Sequence, residues 1–421
     1  MKQRHVIIVG GGAAGLVAAI SAAREGALVT IIEHKDKLGK KILSTGNGRC
    51  NLTNEYMDLE CFRGDDVAIV SDVLNQFGYN DTIKFFEELG VILKNRQGYV
   101  YPISDQASTI LDVLCMEIKH LNIRVCLDEH VTDVKKVVDK FHVITSKKTY
   151  TSDALILATG GKAAPVLGSD GSGYKLAKTF GHNVSPVVPA LIQLKGKGNY
   201  FKQISGVRTQ AKVSLYINNA FICSDTGELQ LTNYGISGIP VFQISRYAAK
   251  GLYKKDSVAV ELDLIPSMDK EEFDTYMKKR LSSQGFKTAE DFLVGVFHQK
   301  LIGLLLKSAH IKPETTMSDV LTESFDRLLF KAKHLQVEIE GTNDFDQAQV
   351  CAGGVFTKEV NSKTLESIYE DDLYLTGELL DIDGICGGYN LQWAWSTGYI
   401  AGKNAAKGKS YDSNWTTEAK S

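Results

Sequence analysis

The 421-residue chain has little that would place it in a membrane, in a secreted scaffold or on nucleic acid. No stretch approaches the roughly 18 consecutive apolar residues of a spanning helix. The first apolar run starts at His5 and is broken at once by three glycines, where a secretory signal would continue uninterrupted. Acids and bases nearly cancel, 50 against 48, so the sequence carries neither the basic excess expected of a nucleic-acid binder nor an acidic tail. The seven cysteines are odd in number, widely spread and without a CxxC pair, which argues against a disulfide scaffold, a zinc site and a redox dithiol together. Reduced thiols in a cytoplasmic protein are the expectation. The nine histidines show no metal-ligand spacing, and no metal is expected. Proline is scarce, at 7, and there is no internal repeat or low-complexity stretch.

Glycine, in contrast, is plentiful at 38 and falls in clusters. The first cluster, Gly10-x-Gly12-x-x-Gly15, follows a continuous apolar run (5–9) and opens an Ala-rich helical stretch ending near Gly26. A second apolar strand (27–32) then ends on Glu33. In this βαβ context Gly10 permits the tight turn, Gly12 the approach of a pyrophosphate, and Gly15 close helix–strand packing. The helix N-terminus at Ala13 and Ala14 would receive the phosphates. Glu33 lies 18 residues beyond Gly15, where a carboxylate accepts hydrogen bonds from ribose hydroxyls and repels a 2′-phosphate. This unit predicts a dinucleotide site without separating FAD from NAD.

Further along, periodicity predicts helices over 67–93 and 106–121, strands near 123–127, 131–137 and 141–146, and a buried strand at 154–158 leading into Thr159-Gly160-Gly161. Residues 190–265 alternate at period two, with turns expected at Asn218-Asn219 and Thr226-Gly227, and predict an antiparallel sheet or small barrel. Residues 269–332 turn helical, with a cap at Ser267 or Asp269 and a break at Pro313. From about 350 the glycine-rich style returns, with one buried strand (372–376) and a final helix. The organisation expected is α/β, with a Rossmann-like domain built from both chain ends (1–188 and 346–410). Inserted in it are an antiparallel, barrel-like β domain (189–268 and 325–345) and a small helical subdomain (269–324), and a tail follows at 411–421.

The crossover Lys41-Ile-Leu-Ser-Thr-Gly46-Asn47-Gly48-Arg49-Cys50-Asn51 holds far more turn formers than a connection requires, as a loop running along a cofactor would. With Gly39 and Lys40 before it, this segment resembles the signature loop of the bacterial NAD(P)/FAD-dependent, aminoacetone-oxidase-like flavoprotein oxidoreductases, among which are reductases of conjugated 3-oxo bile-acid intermediates. More distantly it resembles the flavoprotein subunits of fumarate reductase and succinate dehydrogenase. Residues 154–161, Ser169-Asp-Gly-Ser-Gly-Tyr174, 232–240, Ala352-Gly353-Gly354-Val355 and the block from Thr376-Gly377-Glu378 to Gly388-Tyr389-Asn390-Leu391-Gln392 fit the same family, so the likeness runs nearly end to end. One departure stands out, because the family commonly has His where this chain has Asn233.

The resemblance implies FAD on a glutathione-reductase-type fold. Glu378 would hold ribityl hydroxyls, Val131 would clamp adenine through its backbone, and the helix start at Gly388, Asn390 and Leu391 would face the flavin N1/C2=O edge, where reduced flavin is negative. Lys41, Gly46, Gly48, Arg49, Cys50, Asn51, Thr159, Gly160, Gly161, Gly354 and Gly377 complete the implied cofactor shell. Arg49, Tyr389 and Asn390 are the catalytic candidates. Arg49 reads as a phosphate-binding or structural cation ahead of a substrate anchor, and Tyr389 as a packing residue ahead of a proton donor. Cys50, beside Arg49, is open to a lowered pKa. Tyr99, Tyr101 and Ser104 resemble a family segment near the flavin, and equally an ordinary turn.

The expected activity is hydride transfer between flavin and a small organic substrate, with NAD(P)H as transient donor to an activated C=C bond. Amine oxidation with dioxygen is the alternative. A flavoprotein acting on RNA and a non-catalytic redox sensor are remoter readings. No second GxGxxG marks a dedicated NAD(P)H domain, and neither nucleic acid nor membrane is expected as a partner.

Overall fold

A computed structural model describes residues 3–408; the tail expected at 411–421 lies outside them. The chain divides into two compact units, one from Met1–Val187 with Val350–Ser421, the other Val188–Gln349.

The first unit is organised by a parallel sheet. Its strands are β1 (His5–Val9), β2 (Leu28–Ile32), β3 (Arg124–Cys126), β4 (Ala154–Leu157) and β5 (Leu373–Leu375), in the order β5-β4-β1-β2-β3. Val6, Ile7 and Ile8 of the central strand are fully buried, as a strand covered on both faces requires. Each such side chain contributes about 1.5–3 kcal/mol of burial. Helix α1 (Ala13–Arg24) covers one face, and against it packs the last helix, α3 (Tyr389–Lys407). The approach is close: a Cβ on Gly398 or Gly402 would lie 2.3 and 2.2 Å from the carbonyl oxygens of Ala14 and Ala18. A short helix α2 (Ser172–Lys178) follows β4. An antiparallel three-stranded sheet carries Val131–Val137, and another joins Thr53–Asn54, Tyr99–Pro102 and Leu93–Arg96.

The second unit contains a closed six-stranded antiparallel barrel, in spatial order Leu194–Gly196, Gly235–Ser237, Ala220–Leu231, Arg208–Ile217, Val258–Asp263 and Leu335–Thr342. The expected hairpin at Asn218-Asn219 is present, both residues at positive φ as a two-residue turn matching strand twist demands. The turn expected at Thr226-Gly227 is absent: the strand Ala220–Leu231 runs straight through. Gly227 is there for contact, since a Cβ on it would touch the Pro240 ring at 3.3 Å. That proline opens a 15-residue helix, Ile239–Tyr253, which the period-two reading of 190–265 did not anticipate. Its inner face (Val241, Ile244, Ala248) joins the barrel core. Asp269 caps the helix Lys270–Gln284 through a reciprocal capping box with Glu272.

Candidate FAD-binding site

At the C-terminal end of the parallel sheet the first unit offers the features of a dinucleotide cradle. Gly10, at φ +103°, turns tightly against β4, where a Cβ would fall 2.4 Å from the Ala158 carbonyl oxygen. Gly15 holds α1 against that turn, a Cβ there meeting the Gly10 carbonyl at 1.9 Å. A Cβ on Gly12, by contrast, would meet open space. Helix α1 has neither a side-chain cap nor an acidic residue in its first turn, so the N–H groups after Gly12, including those of Ala13 and Ala14, face outward without a side-chain acceptor.

Glu33 is buried just past β2. Its two carboxylate oxygens accept hydrogen bonds from the backbone N–H of Gly11 at 2.7 Å and of Lys35 at 2.8 Å, which fixes their direction while leaving lone pairs for hydroxyl donors. Val131 is buried at the start of its hairpin. The Glu129 N–H donates to the Glu33 carbonyl, tying the two segments together. Beyond β4, Gly160 sits at φ +71°, where a Cβ would press on the Ser169 hydroxyl at 2.9 Å. Gly161 faces both Glu378 and Tyr174. The Tyr174 hydroxyl is buried without a partner, and burial first, then nearby Cys351, Glu378 and Asp381, keeps it protonated. An uncharged buried hydroxyl lacking a partner fits a polar ligand group. Sequence reading quoted Tyr174 only as part of a motif and assigned it no role.

Glu378 follows β5. One of its oxygens accepts from Cys351 N–H at 2.6 Å and the other pairs with Lys41 Nζ at 2.8 Å, so Lys41 and Glu378 meet as an ion pair from segments 337 residues apart. Gly377 is held at φ +65°, its N–H bonded to Thr397 and its carbonyl to the Trp393 indole of α3. Gly354 lies behind, with its N–H on Ser185 and no room for a Cβ beside Leu379 and Leu380.

The Gly46–Asn51 loop passes through left-handed conformations at Gly46, Asn47, Gly48 and Cys50. Its Asn51 carries a buried, unpartnered side-chain oxygen, a second orphan suited to a ligand donor. Cys50 does not behave as a reactive thiol, because complete burial pushes its pKa up to about 12 despite a hydrogen bond from Thr45. The lowered pKa considered from sequence is thereby corrected: the guanidinium of exposed Arg49 is a chain neighbour, yet desolvation dominates.

Helix α3 starts at Gly388, packed so tightly on Thr53 that a Cβ would lie 2.8 Å from its carbonyl. Like α1, it has no side-chain cap and no acid in the first turn. Asn390 uses both ends of its amide on the Gly384 backbone, at 2.8 Å each, which makes it the clasp of the turn before the helix. Leu391 is half-buried against the core. Tyr389 points into the core, edge-on to Phe62 at 5.8 Å, with its hydroxyl bonded to Cys61 and its pKa raised chiefly by burial. These contacts fit the packing role that the sequence favoured over proton donation.

Asn54 Nδ2 donates to the Gly387 carbonyl, and Tyr99 stands beside the same glycine, 41% exposed. Tyr101 borders Gly46; burial raises its pKa, while Arg49 and Arg96 oppose the rise. Nothing in the sequence singled out Asn54. In the second unit, Asn233 lines a cavity of about 370 Å³ with Ser205, Arg208, Gln230, Thr232 and Tyr234.

Two uncapped helix starts, a buried ribose-type carboxylate, two orphaned polar atoms and glycines that exclude any Cβ fit FAD. Comparison with known proteins settles the relationship. Residues 4–404 match the family described as HI0933-like protein Rossmann domain. The chain belongs to that family. This HI0933-like protein is an FAD-dependent oxidoreductase. It is 50% identical to the 3-dehydro-bile acid delta(4,6)-reductase of Clostridium scindens over 96% of this chain and all of the relative. It is 29% identical to the ribosomal RNA dihydrouridine synthase of Escherichia coli over 97% of this chain and all of that one. Among solved structures, a 3-ketosteroid delta1-dehydrogenase from Sterolibacterium denitrificans aligns with a TM-score of 0.49 and 12% identity, over 97% of this chain and all of that one. No described helix of this HI0933-like protein is long and apolar enough to cross a membrane.

Proposed function

We propose that this protein is a reductase of a C=C bond conjugated to a carbonyl in a small organic molecule, driven by NADH or NADPH. The 50% identity to a protein named for reducing the delta(4,6) bonds of a 3-dehydro-bile acid, extending over 96% of this chain and all of the relative, carries the reading. The more distant relatives named as dihydrouridine synthases support it chemically, because making dihydrouridine also saturates a C=C bond beside a carbonyl. The shared reaction is thus narrower than the two substrates. A formal net charge of −2 offers no cationic excess for an RNA backbone, which favours the small molecule.

FAD, when bound, would supply two-electron redox chemistry between a nicotinamide donor and the alkene. The N–H groups at the starts of α1 and α3 would hold the pyrophosphate and the flavin edge that becomes negative on reduction. Gly12, Ala13 and Ala14 would carry the first task, Gly388 and Leu391 the second, with Asn390 clasping the turn that aims α3. Glu33 and Val131 would bind the adenosine part, and Glu378, Lys41, Thr159, Gly160, Gly161 and Gly377 the linker, with Asn51 and the glycines of the 46–51 loop beside the ring. Arg49, exposed at the end of that loop, would polarise the substrate carbonyl. Hydride added at the β-carbon would leave the α-carbon to take a proton from solvent or from Tyr99, which stands beside Gly387 and is 41% exposed.

Anaerobic titration of the holoprotein with NADH and NADPH, followed by an α,β-unsaturated ketone, tests this reading. Bleaching of the visible flavin band and its recovery on adding the ketone are expected. A band untouched by both nucleotides, yet bleached by an amine and restored by dioxygen, would replace the reductase by an amine oxidase. Tight, salt-dependent RNA binding would return the RNA substrate to consideration.

A further inference from the structure

Beside Glu33, three side chains come together that no sequence spacing connects. His34 follows β2, His130 precedes the hairpin strand Val131–Val137, and Asp170 precedes α2. Their ligand-type atoms all lie within 4.8 Å of one another. We propose that His34, His130 and Asp170 bind a divalent transition-metal cation of the zinc, cobalt and nickel class. This goes beyond the flavin chemistry and is independent of the substrate.

The polar groups around His34 support the assignment. Its Nδ1 faces Glu33 Oε1 at 3.4 Å, and Glu33 is itself fixed by the Gly11 and Lys35 N–H groups. A carboxylate on that side favours the tautomer with the ring proton on Nδ1, which leaves the lone pair on Nε2 for a metal. That Nε2 is buried and has no hydrogen-bond partner. The nearest anion, Asp170 Oδ2, stands 3.9 Å away, beyond hydrogen-bonding distance and suited to a bridging cation. Asp170 keeps Oδ2 for this purpose because its other oxygen accepts the Ser172 N–H at 2.9 Å. The His130 ring meets His34 edge-on at 5.8 Å, so the two imidazoles converge without stacking.

Bonds of about 2.0–2.1 Å in a tetrahedral site put ligand atoms roughly 3.3 Å apart. The site must therefore close by up to about 1.5 Å, and the closing falls to His130 and Asp170, both exposed, while half-buried His34 lies beside Glu33. Water would complete the fourth position. A cation held there would join the end of β2, the start of the Val131 hairpin and the start of α2, the segments that flank Glu33.

The test is titration of chelator-treated holoprotein with Co²⁺, read as ligand-field absorption at wavelengths beyond the flavin band. One equivalent is expected to give an intense tetrahedral spectrum, and Zn²⁺ should displace it. His130→Ala and Asp170→Asn should each weaken binding by at least about tenfold, with the flavin spectrum unchanged. Asn keeps the oxygen that accepts the Ser172 N–H, so Asp170→Asn removes the charge and spares the start of α2. The proposal is overturned if no tetrahedral spectrum develops at tenfold excess Co²⁺, or if both variants bind as wild type does. Protein that proved to lack FAD would still report on the cation, so failure of the flavin reading and failure of this one are separable.

Discussion

Two glycine-to-alanine substitutions of opposite expected sign test how the last helix docks. In a helix interior, alanine is favoured over glycine by about 1 kcal/mol, so propensity alone predicts stabilisation at both sites. At Gly303, exposed on the helix Gln299–Ser308, an added Cβ meets nothing within 4 Å, and the full gain should appear. At Gly402 the same methyl falls 2.2 Å from the Ala18 carbonyl of α1, where an ordinary contact begins at 3.4 Å, so the two helices must separate by about 1 Å. Forcing a methyl into packed structure costs about 1–3 kcal/mol. Subtracting the propensity gain leaves a net loss of up to about 2 kcal/mol at Gly402. With about 2–4 °C per kcal/mol for units of this size, Gly402→Ala should lower the melting temperature by up to about 8 °C and Gly303→Ala raise it by about 2–4 °C. Differential scanning calorimetry reads both. FAD fluorescence on heating adds a functional readout, because α1 and α3 carry the two helix starts assigned to the cofactor. A rise for Gly402→Ala matching that of Gly303→Ala would refute the close contact.

Two further outcomes follow from the site. Glu33→Gln replaces an ionised acceptor by a neutral one and removes charge-assisted hydrogen bonding worth about 1.5–3 kcal/mol; FAD dissociation measured by fluorescence should become easier by at least about tenfold, and unchanged affinity would remove Glu33 from the ribose site. His182 is buried between Ser367 at 2.8 Å and Glu359 at 3.3 Å, and desolvation lowers its pKa against the opposing pull of Glu359. The unfolded chain then binds a proton the folded one refuses, so the stability His182 contributes is intact above about pH 6.5 and is lost as pH falls below that value. Thermal melts from pH 7.5 to 5.5 should fall more steeply for wild type than for His182→Gln, and parallel slopes would contradict the assignment.

Much of the first unit was legible because its physics is local. Gly10, Gly12, Gly15 and Glu33 lie within one βαβ unit, and the runs 5–9 and 154–157 are apolar because both faces are covered. Elements whose signals conflict were harder to read. The helix Ile239–Tyr253 follows a strand after one glycine, so the alternation before it masked its period, and Gly227 looked like a turn while serving a contact with Pro240. Side-chain commitments were not legible at all. Asn390 and Tyr389 are chemically able to take part in catalysis, yet Gly384 and Cys61 already occupy their polar atoms. The convergence of His34, His130 and Asp170 likewise comes from strand order, which no single-segment pattern encodes.

The sheet order has a further consequence during synthesis. β5 pairs with β4 in register Leu155↔Leu373 to Leu157↔Leu375, so an edge strand made early must wait more than two hundred residues for its neighbour. On the ribosome, every strand of the barrel is translated before that neighbour appears, and α3, which closes the cradle, follows later still. On the placement proposed above, the nascent chain would not hold FAD through both helix starts until its last helix had emerged, which would make cofactor capture a late event in folding.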